Sequence, residues 1–596
     1  MPWVTSSDPN AAPTRDDPHR PVGVGREWWR DAVVYQIYPR SFADADGDGE
    51  GDLRGVIAHM AYLASLGIDA VWLCPFYPSP QVDGGYDVAD HCDVDPRFGC
   101  LADFDALVSS AHENGVRVTI DLVPNHCSDQ HPRFRQALAA GRGSLERAWF
   151  HFREGRGAGG AEPPNNWRSV FGGPSWTRVS EPDGSPGQWY YHLFAAEQPD
   201  FNWSNPAVLG EFDRIVRFWL DRGVDGFRID VSDALIKDAG WADTPDGSPV
   251  ILKDAASTVH DVYRHLRRVM DAYPGHRMAV VETGASDDVV ALFVRRDEMH
   301  LAFNLRFTKA AWNAAEFREA IGLSLAANAI AGAPATWVTD NHDTTRSVTR
   351  YASGLRLEGA YVPQAVAARD RSSRDATDGA AGLGSVDLPR GLRRARAAAL
   401  LLLSLPGAAY IYSGQEIGLP NVDDLPDDAL QDPVFRRTAG RVRGRDGCRV
   451  PLPWSGSEAP FGFSPAGVDP WLPMPAAWRE ITVEKQDRDP ASTLWLFRRA
   501  LALRHAEPSL RGGTVTWLDP PDADVRDAQC VLRLARWAED GRRVVIVANF
   551  GSNPTPLPPG EVLLSSVGEP LGAGLPGDAV AIIARGDDRT QTGAHW

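Results

Sequence analysis

Four short segments of this chain bring a run of apolar or β-branched residues up to an acid: Asp121-Leu122-Val123-Pro124-Asn125-His126, Gly226-Phe227-Arg228-Ile229-Asp230, Val280-Val281-Glu282 and Asn341-His342-Asp343. A carboxylate at the end of a buried strand gives up hydration, which is costly unless the charge is put to use. Several such groups on one pocket would form a nucleophile and acid/base set. Arg228 precedes Asp230 by two positions, so on a strand both side chains face the same way. A guanidinium there would keep Asp230 ionised, as a nucleophile requires. Glu282 follows the apolar run Met278 to Val281, where desolvation raises a carboxyl pKa, as a general acid requires. Two carboxyl groups about 5 to 5.5 Å apart can cleave a glycosidic bond with retention, one attacking the anomeric carbon and the other protonating the departing oxygen. A single segment of this kind would read as an ion-paired strand end. Four in a consistent order point to chemistry.

These acids need strands to place them. Strands are expected at Val33 to Tyr38, Ala70 to Leu73, Val116 to Leu122, Gly226 to Ile229, Met278 to Val281, Leu301 to Leu305, Thr336 to Thr339 and Ala408 to Tyr412. Helical segments lie between them, such as Leu53 to Leu66, which ends at a Gly67 suited to a C-cap, and Phe104 to His112. Eight strands alternating with helices give an α/β fold, a parallel (β/α)8 TIM barrel, whose catalytic groups sit at the C-terminal ends of the strands. The four acids would then each close a strand and share one rim. The interval from Asp121 to Asp230 is too long for one βα unit, and its excess is rich in Gly, Pro, Trp and Tyr. It reads as a small domain inserted after the third strand, over residues 127–204, with the barrel made of 26–126 and 205–510. From 511 to 596 short β segments follow one another without helices, the mark of a C-terminal antiparallel β domain. Residues 354–392 read as a loop or lid. Residues 1–25, rich in Pro, Asp and Arg and without an apolar stretch, read as a disordered tail and not a signal peptide.

The net charge of −18 argues against a nucleic-acid or anionic-membrane partner and favours a neutral substrate. The six cysteines include no CxxC pair, which argues against zinc, and are too few for a disulfide scaffold. No apolar run is long enough to span a bilayer, and a cytoplasmic location is expected.

Asp44-Ala45-Asp46-Gly47-Asp48-Gly49-Glu50-Gly51-Asp52 places acids at alternating positions with Gly sixth, as in the first half of an EF-hand loop. The twelfth position is Gly55 and not Glu, so the complete motif is absent. Asp44, Asp46, Asp48 and Asp52, with the Glu50 carbonyl, form a candidate set for a structural Ca2+, since so many like charges repel without a cation.

Taken together, these motifs resemble the α-amylase superfamily, glycoside hydrolase family 13, and within it the α-glucosidase and oligo-1,6-glucosidase group. The resemblance runs from about Trp28 into the C-terminal domain. It implies that Asp230 is the nucleophile, Glu282 the acid/base and Asp343 the residue that fixes the sugar hydroxyls. It places Asp83 and Tyr86 (in Val82-Asp83-Gly84-Gly85-Tyr86-Asp87), His126, Phe194, Arg228, His342 and Arg445 around a terminal glucose, with Tyr86 beneath the ring and Phe150 among the wall aromatics. Gln198-Pro199-Asp200-Phe201-Asn202-Trp203 is similar to the group's marker, which has Leu where Phe201 stands. The related glucosidases also carry an acidic loop like that at Asp44. The implied function is a retaining, exo-acting α-glucosidase on short oligosaccharides or disaccharides, with a transglucosidase or a sucrose or trehalose isomerase as the alternative. Val231, after the expected nucleophile, is the residue common in enzymes that favour α-1,6 bonds. Thr283-Gly284 and Ser232-Asp233 depart from the usual pattern near the acceptor side. A catalytically dead relative serving as a binding subunit is disfavoured, because all three carboxylates are present.

Overall fold

The computed structural model describes residues 27–357, 386–512, 514–518, 529–568, 571 and 574–585. The tail expected at 1–25 and most of the 354–392 stretch lie outside the described residues. Eight parallel strands form one sheet: β1 (Val33–Ile37), β2 (Ala70–Leu73), β3 (Arg117–Leu122), β4 (Gly226–Ile229), β5 (Met278–Val281), β6 (Leu301–Ala302), β7 (Thr336–Val338) and β8 (Ala408–Tyr412). Their order is β7-β8-β1-β2-β3-β4-β5-β6, a barrel closed except between β6 and β7. At that seam the Thr336 hydroxyl donates to the Ala302 carbonyl. Strands β1, β2, β4, β5 and β8 are buried along their whole length because helices cover them outside and side chains fill them inside. Gly226 is required in β4, since a Cβ there would collide with the Met278 carbonyl of β5.

The helix Pro206–Asp221 shows how the outer layer is specified. Asn205 caps it by accepting from the Ala207 N–H at 3.1 Å, and Pro206 opens it. Val208, Phe212, Ile215, Val216 and Trp219 then recur at helical spacing and are buried. Two expected elements differ. The helix expected over Leu53 to Leu66 is two helices, Leu53–Ala58 and Met60–Leu66, broken at His59, whose ring stacks on Trp454 at 3.7 Å and whose Nδ1 meets the Gly55 carbonyl. Gly67 ends the second with φ +90°, as a left-handed C-cap should. The sixth strand stops at Ala302 because Asn304 caps a short helix, Leu305–Lys309, accepting from Phe307 N–H.

Between β3 and β4 the chain builds a three-stranded antiparallel sheet (Phe152–Arg153, Trp176–Ser180, Pro186–Tyr191) over the C-terminal face of the barrel. Beyond the helix Thr493–Ala506 a five-stranded antiparallel sheet follows, in the order 514–517, 531–537, 543–549, 579–585, 561–565. The last of these, Glu561–Ser565, is an edge strand that the sequence pattern did not reveal. Arg536 of this sheet reaches the Ser404 carbonyl, and Arg504 reaches those of Leu403 and Leu405. The last carbonyls of the helix Leu388–Ser404 are thus capped by two buried guanidinium groups.

Candidate active site

The register of the barrel sets the acids. Asp121 pairs with Arg228, and Arg228 with Val280. Asp230 N–H donates to Leu122 and Glu282 N–H to Ile229, so Asp230 and Glu282 leave β4 and β5 side by side. Arg228, 1 % exposed, is the hub: Nη1 lies 2.7 Å from both Asp121 Oδ1 and Asp230 Oδ1, and Nη2 lies 2.7 Å from Glu282 Oε1. Asp230 and Glu282 therefore occupy adjacent nitrogens of one guanidinium. Glu282 is also tied to the segment after Asp230: Val231 N–H approaches its Oε2 at 3.3 Å, and Ser232 donates to its carbonyl through both N–H and Oγ. Val231 takes φ +44°, a left-handed conformation that is costly for a β-branched residue and is held here by those contacts.

The charges do not behave as expected for an isolated Asp230–Arg228 pair. One guanidinium serves three carboxylates. Burial raises Asp230 well above the usual carboxylate range, and Glu282, Asp121 and Asp343 push it further against the pull of Arg228. Glu282 is raised as well, first by burial. The expectation that Arg228 keeps Asp230 ionised is corrected: burial and the neighbouring carboxyls outweigh its pull.

Asp121 does not close its strand. It lies within β3, is fully buried, and accepts from Trp72 Nε1 at 2.8 Å and from Tyr86 OH at 3.2 Å. Burial pushes it up to about 6. It supports Arg228 from below and is covered from the pocket. Asp343 does not close a strand either; it stands in the loop after β7. Its Oδ1 lies 2.9 Å from Arg449 Nη2 and 3.1 Å from Arg445 Nη1, and its side chain is 28 % exposed. Burial would raise its carboxyl, but the guanidinium groups of Arg445, Arg449 and Arg228 outweigh that and hold it far below the usual range. His342 Nδ1 accepts from Gln36 Nε2 at 2.6 Å, which leaves its proton on Nε2, 3.3 Å from Asp343 Oδ2 but not aligned with it. Burial keeps that imidazole neutral.

One wall of the pocket is a chain of hydrogen bonds. Arg445 Nη2 meets Asp83 Oδ1 at 2.5 Å; Gln198 Nε2 donates to Asp83 Oδ2 at 3.0 Å and stands 3.1 Å from His126 Nε2. Asp83 belongs to the turn Val82–Asp87, where Gly84 and Gly85 take φ +57° and +102° and Asp87 accepts from the N–H groups of Val82 and Asp83. Tyr86 stacks on His342 at 5.2 Å and 7°. His126, lowered to about 4 by burial, meets Phe194 edge-on at 5.1 Å. Phe150 instead packs between Phe134 and Phe201 inside the insert, away from this set. A polar cavity of about 690 Å³ opens one residue past Glu282, lined among others by Thr283, Gly284, Asn304 and Arg306.

Asp83, Tyr86, His126, Phe194, Arg228, Asp230, Glu282, His342, Asp343 and Arg445 thus come together on one face. Trp72, Gln36, Gln198, Asp432 and Arg449 belong to the same network and were not singled out beforehand. Gln198 opens the quoted motif and could have been found there; the others carry no local signal.

The acidic loop is separate. Ligand oxygens of Asp44, Asp46 and Asp48 lie within 4.8 Å of one another. Asp52 caps the helix at Leu53, accepting from Gly55 N–H, and its other oxygen accepts from Ala45 and Asp46. Oε1 of the Glu50 carboxylate is taken by Arg40 at 2.6 Å.

The catalytic-domain family called alpha amylase matches residues 36–365 and 385–513, and a domain of unknown function, DUF3459, matches 522–582. The chain is 36 % identical over 516 residues to a probable alpha-glucosidase of Rhizobium meliloti, covering 83 % of this chain and 85 % of that one. It is 32 % identical over 573 residues to an oligo-1,6-glucosidase of Parageobacillus thermoglucosidasius, covering 89 % and 92 %. A solved alpha-glucosyl transfer enzyme superposes with a TM-score of 0.77 at 32 % identity, over 94 % of this chain and 99 % of that chain. The three-carboxylate rim on a (β/α)8 barrel and these matches agree: the chain belongs to the α-amylase family of glycoside hydrolases, in its α-glucosidase group.

Proposed function

We propose that the protein is a retaining, exo-acting α-glucosidase that removes terminal α-linked glucose from short oligosaccharides of the isomaltose or maltose type. The observation that carries this reading is the seating of Asp230 and Glu282 on adjacent nitrogens of Arg228, with Asp343 held ionised beside them. In the first step Asp230 attacks the anomeric carbon while Glu282 gives its proton to the departing oxygen, and a glucosyl ester forms. In the second, Glu282 takes a proton from water, which displaces Asp230 with net retention. Asp343 and the Nε2–H of His342 address the sugar hydroxyls, Tyr86 lies under the ring, and Arg445, Asp83 and His126 bound the nonreducing end. The hydrogen-bond chain Arg445–Asp83–Gln198–His126 closes that end, which favours a terminal residue over the interior of a polymer.

The polar cavity beside Glu282 supports a second reading, transfer of the glucosyl group to a sugar acceptor in place of water, as does likeness to the transfer enzyme. A time course on maltose, isomaltose, sucrose and trehalose tests both. Release of α-glucose first supports the main reading; transfer products dominating at high substrate support the second; β-glucose as the first product refutes both.

The loop Asp44, Asp46, Asp48, Asp52 and the Glu50 carbonyl is offered as a structural Ca2+ site. The crowding of Asp46 and Asp48 supports it: both carboxyls are raised, by burial first and then by neighbouring acids. A cytoplasmic setting is favoured by six unpaired cysteines, and no helix among the described residues is long and apolar enough to cross a membrane.

A further inference from the structure

Among the described residues, Arg445 is the cation that pairs with both Asp83 and Asp343. Its Nη2 is on Asp83, its Nη1 on Asp343, and its plane lies over Phe171 at 5.3 Å. A guanidinium placed that way can swing unless its third nitrogen is held. Asp432 holds it: Oδ2 accepts from Arg445 Nε at 2.5 Å and from the Arg445 backbone N–H at 2.9 Å. The other oxygen, Oδ1, accepts from Val434 N–H and caps the helix Pro433–Arg437. Asp432 is itself fixed from below, because Asp446 Oδ2 accepts from the N–H groups of Gln431 and Asp432. The two ends of the 432–446 loop are thus locked to each other by reciprocal carboxylate-to-backbone bonds. Gly444, at φ +78°, lets them approach, and a Cβ there would collide with Asp432 Cβ and Cγ. The loop's outer part is tied to the insert through Arg437, which donates to the Gly172 carbonyl at 2.6 Å.

Asp432 has a fully buried side chain, and every hydrogen bond it makes is to its own loop. We propose that Asp432 is the positioning residue of this site: it sets the angle of Arg445, so that one guanidinium serves Asp83 and Asp343 at once, and it has no contact with the sugar. The proposal rests on the glucosidase reading for what the pocket binds, but its test does not need turnover.

A double-mutant cycle between Asp432→Asn and Arg445→Ala decides it. The readouts are kcat/KM on p-nitrophenyl α-glucoside and the affinity for glucose of the same variants built on Asp230→Asn. With Arg445 present, Asp432→Asn should lower kcat/KM about 10- to 100-fold and weaken glucose about tenfold, the cost of one loosened charge-assisted contact set. With Arg445 already removed, the same replacement should change either quantity less than twofold. Equal losses in both backgrounds, or no loss in the first, overturn the proposal. Should Asp432→Asn fail to fold, Asp446→Asn loosens the same lock from one step further away and must show the same dependence on Arg445. A protein that binds glucose with this coupling yet turns over no α-glucoside would strike the glucosidase reading and leave the positioning role standing.

Discussion

At the scale of residues, the centre is under electrostatic load. Three carboxylates share Arg228, and burial raises all three, Asp121, Asp230 and Glu282, above their ordinary values. A carboxyl raised in the folded state costs no stability below its unfolded pKa, and its contribution is lost as pH rises through the folded value. Glu282→Gln should therefore raise the melting temperature at pH 7, by the equivalent of about 1 to 2 kcal/mol, and the gain should shrink as pH approaches 4. A lowered melting temperature at pH 7 would show that the pair stabilises the fold after all. The raised Glu282 carboxyl bears on rate too: activity should fall on the alkaline side as Glu282 loses its proton, because no acid then remains to protonate the departing oxygen. Asp230→Asn keeps the shape and removes the nucleophile. It should lower kcat by about 10⁴-fold or more while glucose affinity stays within a few-fold of the parent; near-normal turnover would refute the assignment of Asp230.

At the scale of elements, the insert is fastened to the barrel by an ion pair with no exposure at all. Lys237 Nζ lies 2.6 Å from Asp200 Oδ2 and 2.7 Å from Asn125 Oδ1, and Asp200 also accepts from Leu193 N–H and Asn125 Nδ2. Asn125 precedes His126, so this pair sets the entry of β3's loop into the pocket. Lys237→Met would leave a buried carboxylate uncompensated, at a cost of about 3 to 5 kcal/mol. Limited proteolysis should then cut within 127–204 much faster than in the parent, while an unchanged cleavage rate would mean the insert is held by its aromatic core alone. This pair also marks what the sequence could and could not show. The strands at Ala70, Met278 and Ala408 were legible because strands buried on both faces read as apolar runs, those at Val33 and Gly226 because only Gln36 and Arg228 interrupt theirs, and Asp230 and Glu282 were legible because they end such runs. The break at His59 was not, since it depends on stacking against Trp454, far along the chain. Nor were Lys237, Arg449 and Asp432, whose importance lies wholly in partners that folding brings to them. Asp121 looked like a rim acid, but burial beneath Trp72 and Tyr86 makes it a support.

At the scale of the whole molecule, a chain of net charge −18 whose proposed substrate is an uncharged sugar should show little electrostatic steering, so kcat/KM on a neutral glucoside should stay within about twofold from 0.02 to 0.5 M salt. The Ca2+ site proposed at the acidic loop carries the opposite expectation. The loop joins β1 to the first barrel helices, and it also touches the far end of the chain's barrel: Asp44 N–H donates to Phe463, Trp471 N–H donates to Gly49, and Arg40, which holds Glu50, lies over Trp471 at 3.9 Å. A cation that neutralises Asp44, Asp46 and Asp48 would therefore stabilise the closure of the barrel, without entering the catalytic network. Stabilisation by a bound ion follows the logarithm of its concentration over its dissociation constant, about 2.7 kcal/mol at a hundredfold excess. Chelation should lower the melting temperature, Ca2+ should restore it in a concentration-dependent way, and Asp46→Asn with Asp48→Asn should abolish that response. Activity per folded molecule should be the same with and without the ion, because none of the loop's acids reaches Arg228 or Asp343. A melting temperature indifferent to chelator and Ca2+ alike would reduce the loop to a solvated acidic turn; a loss of kcat at temperatures where the fold stays intact would tie the ion to catalysis.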